Sequence, residues 1–213
     1  MASIFEISKG AVRAKEYPGC TSQFFILQKY EKYIQTRLAV DPDKPPALEN
    51  YRGAGRRGIN FYMPLKRGIS AKDKKLLREL DDFTQDIDEF LLIEENAVRL
   101  KGMFADSADY DIIWARVADS DDEAPAGYCS LGFDVCYPLC FDETFSAVLT
   151  AANRMKLGDR LNGNGLFDSP FAAQQFLVDY AKQDFCDEGE FCISEIFGKP
   201  DEEKIIVFPG KQQ

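Results

Sequence analysis

The sequence predicts an α+β fold, with a mostly antiparallel sheet and about three or four helices packed on it. Short strand-like segments follow one another through much of the chain, and two segments begin with residues that cap helices. At 213 residues with 17 Phe and 9 Tyr, the chain can bury a substantial core. We expect residues 1–213 to form a single domain. Residues 41–47, which contain three prolines, are the one place for a break between sub-lobes.

The first part of the chain predicts a strand and a helix before that break. Ser3 to Ile7 alternates apolar and polar residues in the manner of a short strand. From Ser22 to Leu38, apolar residues recur at steps of three and four, which predicts an amphipathic helix. The aromatic residues of this segment leave a strand open as the alternative. The prolines between Asp41 and Pro46 then end any regular element.

The middle of the chain predicts a helix followed by several strands. Ile59 to Leu65 is strand-like, and Ser70 is placed to cap a helix that begins near Ala71. Three further strand-like segments, which we expect to form an antiparallel meander, are Phe90 to Ile93, Ala97 to Phe104 and Asp111 to Ala118. An acidic loop from Asp119 to Gly127 follows. Tyr128 to Tyr137 is predicted as another strand.

The last part of the chain predicts two helices and two strands. Thr144 to Asn153 has the pattern of a short helix, and Gly158 to Gly165 is rich in turn-forming residues. Asp168-Ser169-Pro170 predicts a helix start, because Asp or Ser caps the first turn and proline is favoured within it. Phe191 to Phe197 and Lys204 to Phe208 are predicted as strands.

The charge is negative and uneven. Net charge is −10, yet residues 52–78 carry nine Lys/Arg against one acid. Residues 79–123 carry fifteen acids against three cations. Overall acidity disfavours binding to nucleic-acid phosphates and favours basic protein partners. No apolar run is long enough to be a signal peptide or a membrane span, so we expect a cytoplasmic protein that makes no contact with a membrane.

The chain contains no histidine, which excludes Ser-His-Asp and Cys-His catalysis and every histidine-bearing metal site. The six cysteines are expected to be reduced thiols in the cytoplasm. Cys136 and Cys140, like Cys186 and Cys192, lack the two-residue gap of a zinc knuckle. We therefore predict no metal and no cofactor.

One glycine-rich segment matches a dinucleotide-binding pattern by letter. Gly53, Gly55 and Gly58 have the required spacing, but neither a preceding strand nor a following helix is predicted. A basic turn is the favoured interpretation. Whether this turn binds a phosphate is left open by the sequence.

Four segments between residues 110 and 197 share a recognisable style. They are Tyr110 to Val117, a tryptophan strand; Ser130 to Val135 with Phe141 to Val148, a Gly-Phe-Asp strand leading into Ser-Ala; Gly165 to Phe176, a Leu-Phe-Asp loop that opens an Ala-rich helix; and Phe191 to Phe197. Together they resemble bacterial immunity proteins that neutralise polymorphic toxins. Such proteins have many unrelated folds and share no catalytic residues. The resemblance implies function by binding and assigns no site residue.

We therefore predict a cytosolic immunity protein, not an enzyme, that occludes a cognate toxin, and the acidity favours a basic toxin domain. The residues predicted to contact the partner are Asp106, Asp109, Asp111, Asp119, Asp121, Asp122 and Glu123. One alternative is an enzyme of unrecognised class that uses carboxylates or the basic stretch Arg52 to Arg67 on a nucleotide or phosphorylated substrate. A structural or adaptor protein is the other.

Overall fold

A six-stranded antiparallel sheet with helices packed on it forms the described part of the chain. The computed structural model describes residues 2–28, 65–81, 87–138, 155, 157–162, 164 and 166–200. The strands are β1 (Ser3–Ser8), β2 (Ala11–Glu16), β3 (Ser22–Gln28), β4 (Tyr110–Val117), β5 (Cys129–Cys136) and β6 (Gly189–Gly198). The helices are α1 (Ala71–Asp81), α2 (Ile87–Phe90), α3 (Glu94–Gly102) and α4 (Pro170–Tyr180), with 3₁₀ turns at Ser107–Asp109 and Leu157–Arg160. The predicted α+β class is confirmed.

Strand β6 holds the sheet together because it pairs with three other strands. Along one edge, β5 pairs with it from Cys136↔Cys192 to Cys129↔Gly198. Along the other edge of β6, β1 pairs with the beginning of the strand, as in Phe5↔Phe191. β4 pairs with the end of β6, as in Trp114↔Phe197. β2 extends the sheet beyond β1, and β3 extends it beyond β4.

Helices cover one face of this sheet, and two cores lie beneath them. Helices α1 and α3 pack on β3 and β4, where Phe24, Trp114 and Phe197 are buried. Helix α4 packs near β6, and its Phe176 and Tyr180 lie with Phe191 in a separate core. Because side chains alternate along a strand, the residues of β6 between Phe191 and Phe197 on this face connect the two cores.

The opposite face of the sheet is also buried, as a third core. Its members come from five strands, from the residue before β1 and from one loop: Ala2, Ile4, Phe25, Ile113, Ala115, Val117, Cys136, Leu166, Cys192 and Ile196. Burial on both faces explains why β4 reads as an almost continuous apolar run rather than as an alternating one.

Two helices begin at the predicted serines. The Ser70 hydroxyl accepts from the backbone N–H of Asp73 at 3.1 Å and donates to the Asp73 carboxylate at 2.7 Å. The Ser169 hydroxyl accepts from the N–H of Ala172 at 3.2 Å, and Pro170 occupies the first turn. Both caps satisfy amide groups that the first turn of a helix leaves without a partner.

Three predicted elements differ in type from the structure, and for the first of them a strand was the alternative left open. Residues 22–28, predicted as the start of an amphipathic helix, form strand β3, paired with β4 in register from Ser22↔Arg116 to Gln28↔Tyr110. Residues 94–102 form helix α3, and residues 90–93 end helix α2 and form a turn, where two strands were predicted. The expected meander is therefore interrupted by helices. In α3, Ala97 and Leu100 face the core at the three-residue step of a helix.

The structure adds a hairpin that was not predicted. β1 and β2 pair from Ser3↔Glu16 to Ser8↔Ala11, and the turn between them has positive φ at Lys9 (50°) and Gly10 (75°). Two consecutive residues with positive φ give a two-residue turn the twist that matches the flanking strands of a hairpin. Five predictions lie outside the described residues, wholly or nearly so: the segment to Leu38, the break at 41–47, the strand at 59–65 apart from Leu65, the helix at 144–153 and the strand at 204–208.

Gly132 marks an irregularity in β5 where only glycine fits. The pairing of β5 with β6 shifts between Ser130 and Gly132, and Gly132 has φ of +133°. A Cβ atom placed there would lie 2.8 Å from the Phe167 carbonyl oxygen and 2.8 Å from the Leu166 Cβ. Gly132 thus lets the loop that precedes α4 approach the strand closely.

Gly132→Ala should lower the free energy of unfolding by about 2–4 kcal/mol, because it adds backbone strain and a steric clash. Gly127→Ala is the matched control. Gly127 also has positive φ (84°), but nothing lies within 4 Å of its would-be Cβ, so only a strain of about 1 kcal/mol is expected. Urea unfolding measures both, and equal losses would refute the clash.

Candidate functional site

The seven predicted contact residues form two groups at opposite ends of β4. Asp106, Asp109 and Asp111 lie at its beginning, and the acidic loop (residues 119–127) follows its end. An eight-residue strand spans about 23 Å between its first and last residues. A single partner that contacted both groups would have to extend along the whole length of β4.

Only part of the first group is available at the surface. Asp106 is exposed and Asp109 is half-buried, whereas Asp111 is 5% exposed within β4, opposite Leu27 of β3. Burial, followed by the negative charges of Asp109 and Asp106, raises the pKa of Tyr110. The carboxylate of Asp111 is therefore part of the protein interior, and Asp106 and Asp109 carry the negative charge at this end.

The acidic loop is fastened to the sheet through two of its own acids. The Asp119 carboxylate accepts from the backbone N–H of Ser3 at 3.0 Å. The Asp122 carboxylate accepts from the Thr21 hydroxyl at 2.6 Å. Asp121 and Glu123, between and beyond these anchors, are exposed. Asp119 and Asp122 thus hold the loop in place, and Asp121 and Glu123 lie at exposed positions.

Arg116 of β4 also binds the acidic loop. Its guanidinium donates to the backbone carbonyl of Asp122 and, through Nε and Nη2, to one carboxylate oxygen of Glu195 at 3.0 and 2.7 Å. The two side chains are 25% and 12% exposed, and the guanidinium lies 5.5 Å from the centre of the Phe197 ring. A charge-assisted pair of this kind, shielded from water, fixes the loop backbone.

The structure places a further exposed acid, Glu16, across β1 from the attachment of the loop at Ser3. Glu16, which is exposed, pairs with Ser3 across the β1–β2 hairpin, and the N–H of Ser3 binds Asp119. Sequence reasoning missed Glu16 because it lies more than one hundred residues from the loop. The hairpin turn at Lys9 and Gly10 was the available signal, since it fixes which residue lies opposite Ser3.

A cluster of thiols lies in the third core, where β5 and β6 pair. Cys136 and Cys192 are directly opposite, with their sulfur atoms 3.7 Å apart, and the Ser194 hydroxyl lies 3.1 and 3.2 Å from the two sulfurs. Both cysteines are at most 1% exposed. The hydrogen bond with Cys192, together with burial, raises the pKa of Cys136 well above that of a free thiol. Buried, protonated thiols of this kind pack as small apolar groups.

The described residues provide neither a cluster of metal ligands nor a helix suited to cross a membrane. No three cysteine or carboxylate side chains in this part of the chain come together in an arrangement that would hold a metal ion. None of the described helices has both the length and the apolar character needed to cross a bilayer. The glycines at 53, 55 and 58 lie outside the described residues.

Comparison with protein-family models, with characterised proteins and with solved structures gives no match to this chain.

Arg116→Met should lower the free energy of unfolding by about 2–4 kcal/mol, because it leaves Glu195 largely buried without its cation. The double variant Arg116→Met with Glu195→Met should recover part of that loss, since no unpaired charge is left behind. Lys182→Met removes a cation that is 63% exposed and should change stability by less than about 0.5 kcal/mol. A loss no larger than this control would contradict the anchoring role.

Cys186 should react slowly with iodoacetamide at neutral pH and progressively faster in alkali. Burial, followed by the charges of Asp187 and Glu188, raises the pKa of its thiol to about 11. Since only the thiolate reacts, its labelling rate should rise ~10-fold per pH unit between pH 7 and 10. Peptide mass spectrometry checks this, with the exposed Cys129 as the reference label. A plateau below pH 10 would contradict the raised pKa.

Proposed function

We propose that this protein neutralises a basic toxin by stoichiometric binding in the cytoplasm, with the acidic loop in the interface. The observation that carries the proposal is the loop itself. Its exposed acids, Asp121 and Glu123, project from a backbone that three hydrogen-bonded anchors hold to the sheet. The resemblance of residues 110 to 197 to immunity proteins supports the same function.

A loop held in this way suits rapid and tight binding. Because its backbone is already ordered, association loses less conformational entropy than it would with a flexible acidic segment. The net charge of −10 adds a long-range field that attracts a basic partner and speeds encounter at low salt. Occlusion of a toxin's active site by such a surface requires no reactive group on the inhibitor.

The structure also identifies which acids to change in a test. Replacing Asp119 or Asp122 would remove a fastening of the loop as well as a charge. Asp121→Asn with Glu123→Gln removes two charges at exposed positions and leaves the Asp119 and Asp122 fastenings in place. Asp168→Asn with Asp184→Asn removes the same charge at exposed positions before and after α4 and provides the matched control.

The partner is first obtained by purifying the tagged chain from its own cells at low salt and identifying co-purifying proteins by mass spectrometry. The proposal requires a basic protein, bound in a fixed ratio, that is toxic when expressed alone and harmless when expressed with this chain. A chain that purifies alone in repeated preparations, or a bound protein that is harmless when expressed alone, would overturn it.

With that partner, the Asp121→Asn and Glu123→Gln double variant should associate ~3- to 10-fold more slowly at low salt, with a weaker salt dependence. The Asp168 and Asp184 double variant should change the rate by less than about twofold, since a remote charge acts only through the screened field. Stopped-flow or surface plasmon resonance measures both. Equal effects of the two double variants would remove the acidic loop from the interface.

A further inference from the structure

An open cleft of about 570 Å³ lies between helix α1 and the segment that leads into it. It is lined by Leu65, Lys66, Gly68, Ile69, Lys74, Leu77 and Arg78. The segment is held to the end of α3 by a bridge between Leu65 and Phe104 and by a hydrogen bond from the N–H of Lys66 to the carbonyl of Met103 at 2.8 Å. Both walls of the cleft are therefore attached to the same core.

The charge of the cleft contrasts with that of the whole protein. Its three charged residues, Lys66, Lys74 and Arg78, are all cations and all exposed, and none forms an ion pair with the residues that the structure describes. Two neighbouring cations are neutralised instead. Arg99 binds Asp73 at 2.7 Å, and Lys75 lies 3.4 Å from Glu79. Within the described part of the chain, positive charge therefore predominates where the cleft opens.

Helix geometry directs part of this charge to one place. Lys74 and Arg78 are four residues apart, so they lie on the same face of α1, and both line the cleft together with Leu77. The Nε of Arg78 donates to the carbonyl of Lys74 at 3.2 Å, which leaves its two terminal nitrogens for another acceptor. Fixed in this way, the guanidinium can bind a carboxylate or a phosphate with both of them.

The floor of the cleft is aliphatic. Leu77 is 5% exposed, and Leu65 and Ile69 are half-buried against the core beneath α1 and α3. Among the described residues, no aromatic side chain lines the cleft, so it offers no ring on which a nucleotide base would stack. The volume lies within the range of small-molecule sites. The lining thus matches a ligand with an anionic head and an aliphatic body.

We propose that this cleft binds a small anionic amphiphile. Lys66, Lys74 and Arg78 hold its carboxylate or phosphate head, and its aliphatic chain lies on the surface formed by Leu65, Ile69 and Leu77. The site is separate from the acidic loop, and its ligand carries the same sign of charge as the protein as a whole, whose net charge is −10. Binding relieves the mutual repulsion of three cations at one opening.

The test is calorimetric titration of the full chain with octanoate and with octyl phosphate, which distinguishes the two head groups. Acetate and inorganic phosphate supply the heads alone, and octan-1-ol supplies the chain alone. At least one amphiphile should bind saturably and ~10-fold or more tighter than its head group alone, because the apolar contact adds to the charged one. Equal affinity for the head alone, or for octan-1-ol, would overturn the proposal, as would the absence of saturable binding.

A pair of triple variants locates the site. Lys66→Gln, Lys74→Gln and Arg78→Gln together should weaken binding ~10-fold or more, since every charge contact to the head is lost. Arg67→Gln, Lys72→Gln and Lys75→Gln remove the same charge from the same segment and helix outside the cleft and should change affinity less than ~2-fold. Circular dichroism verifies that both remain folded, and Lys74→Gln alone is a milder substitute. Equal losses in the two triple variants would show a general charge effect and refute the site.

Discussion

The fold depends on a single strand that satisfies both of its edges with partners from distant parts of the chain. β6 receives β5 on one edge and, end to end, β1 and β4 on the other. Every core borders it. Phe197 lies beneath α1 and α3, Phe191 beneath α4, and Cys192 in the third core. A change that moved β6 would therefore disturb all three cores together, whereas the described helices contact the sheet on one face.

One charged side chain beside β6 stabilises both the sheet and the acidic loop. The one ion pair described between β4 and β6, Arg116 with Glu195, lies on the helix-covered face between the two cores and also binds the acidic loop. Without Arg116, the sheet would lose a contact between two strands. The loop would lose the hydrogen bond that its Asp122 carbonyl accepts. Stability and the presentation of Asp121 and Glu123 are thus coupled through one guanidinium, so a defect in binding is informative only when unfolding has been measured as well.

Local sequence patterns predicted the two helices whose first turns are capped by serine. Ser70 and Ser169 identified two helices because a cap is a local interaction. β3 was misjudged because Gln23 to Ile26 are all buried, and a continuous buried run does not distinguish helix from strand. In α3, the exposed Val98 suggested alternation where the buried residues follow a helical step. At the acidic loop, the sequence identified the acids but not their division into anchors and exposed charges, which depends on Ser3, Thr21 and Arg116, contacts set by the tertiary fold.

The position of β6 also bears on how the chain is made. One edge of β1 pairs with residues 189–191, which are synthesised about 180 residues after β1. At ordinary elongation rates this delay is roughly ten to forty seconds. During that interval the β1–β2 hairpin exists without the strand that completes its sheet, and an isolated hairpin is only marginally stable in water. Its Ile4 and Ile7, buried in the finished protein, are exposed in the nascent chain. A strand edge left without its partner in this way can pair with another chain.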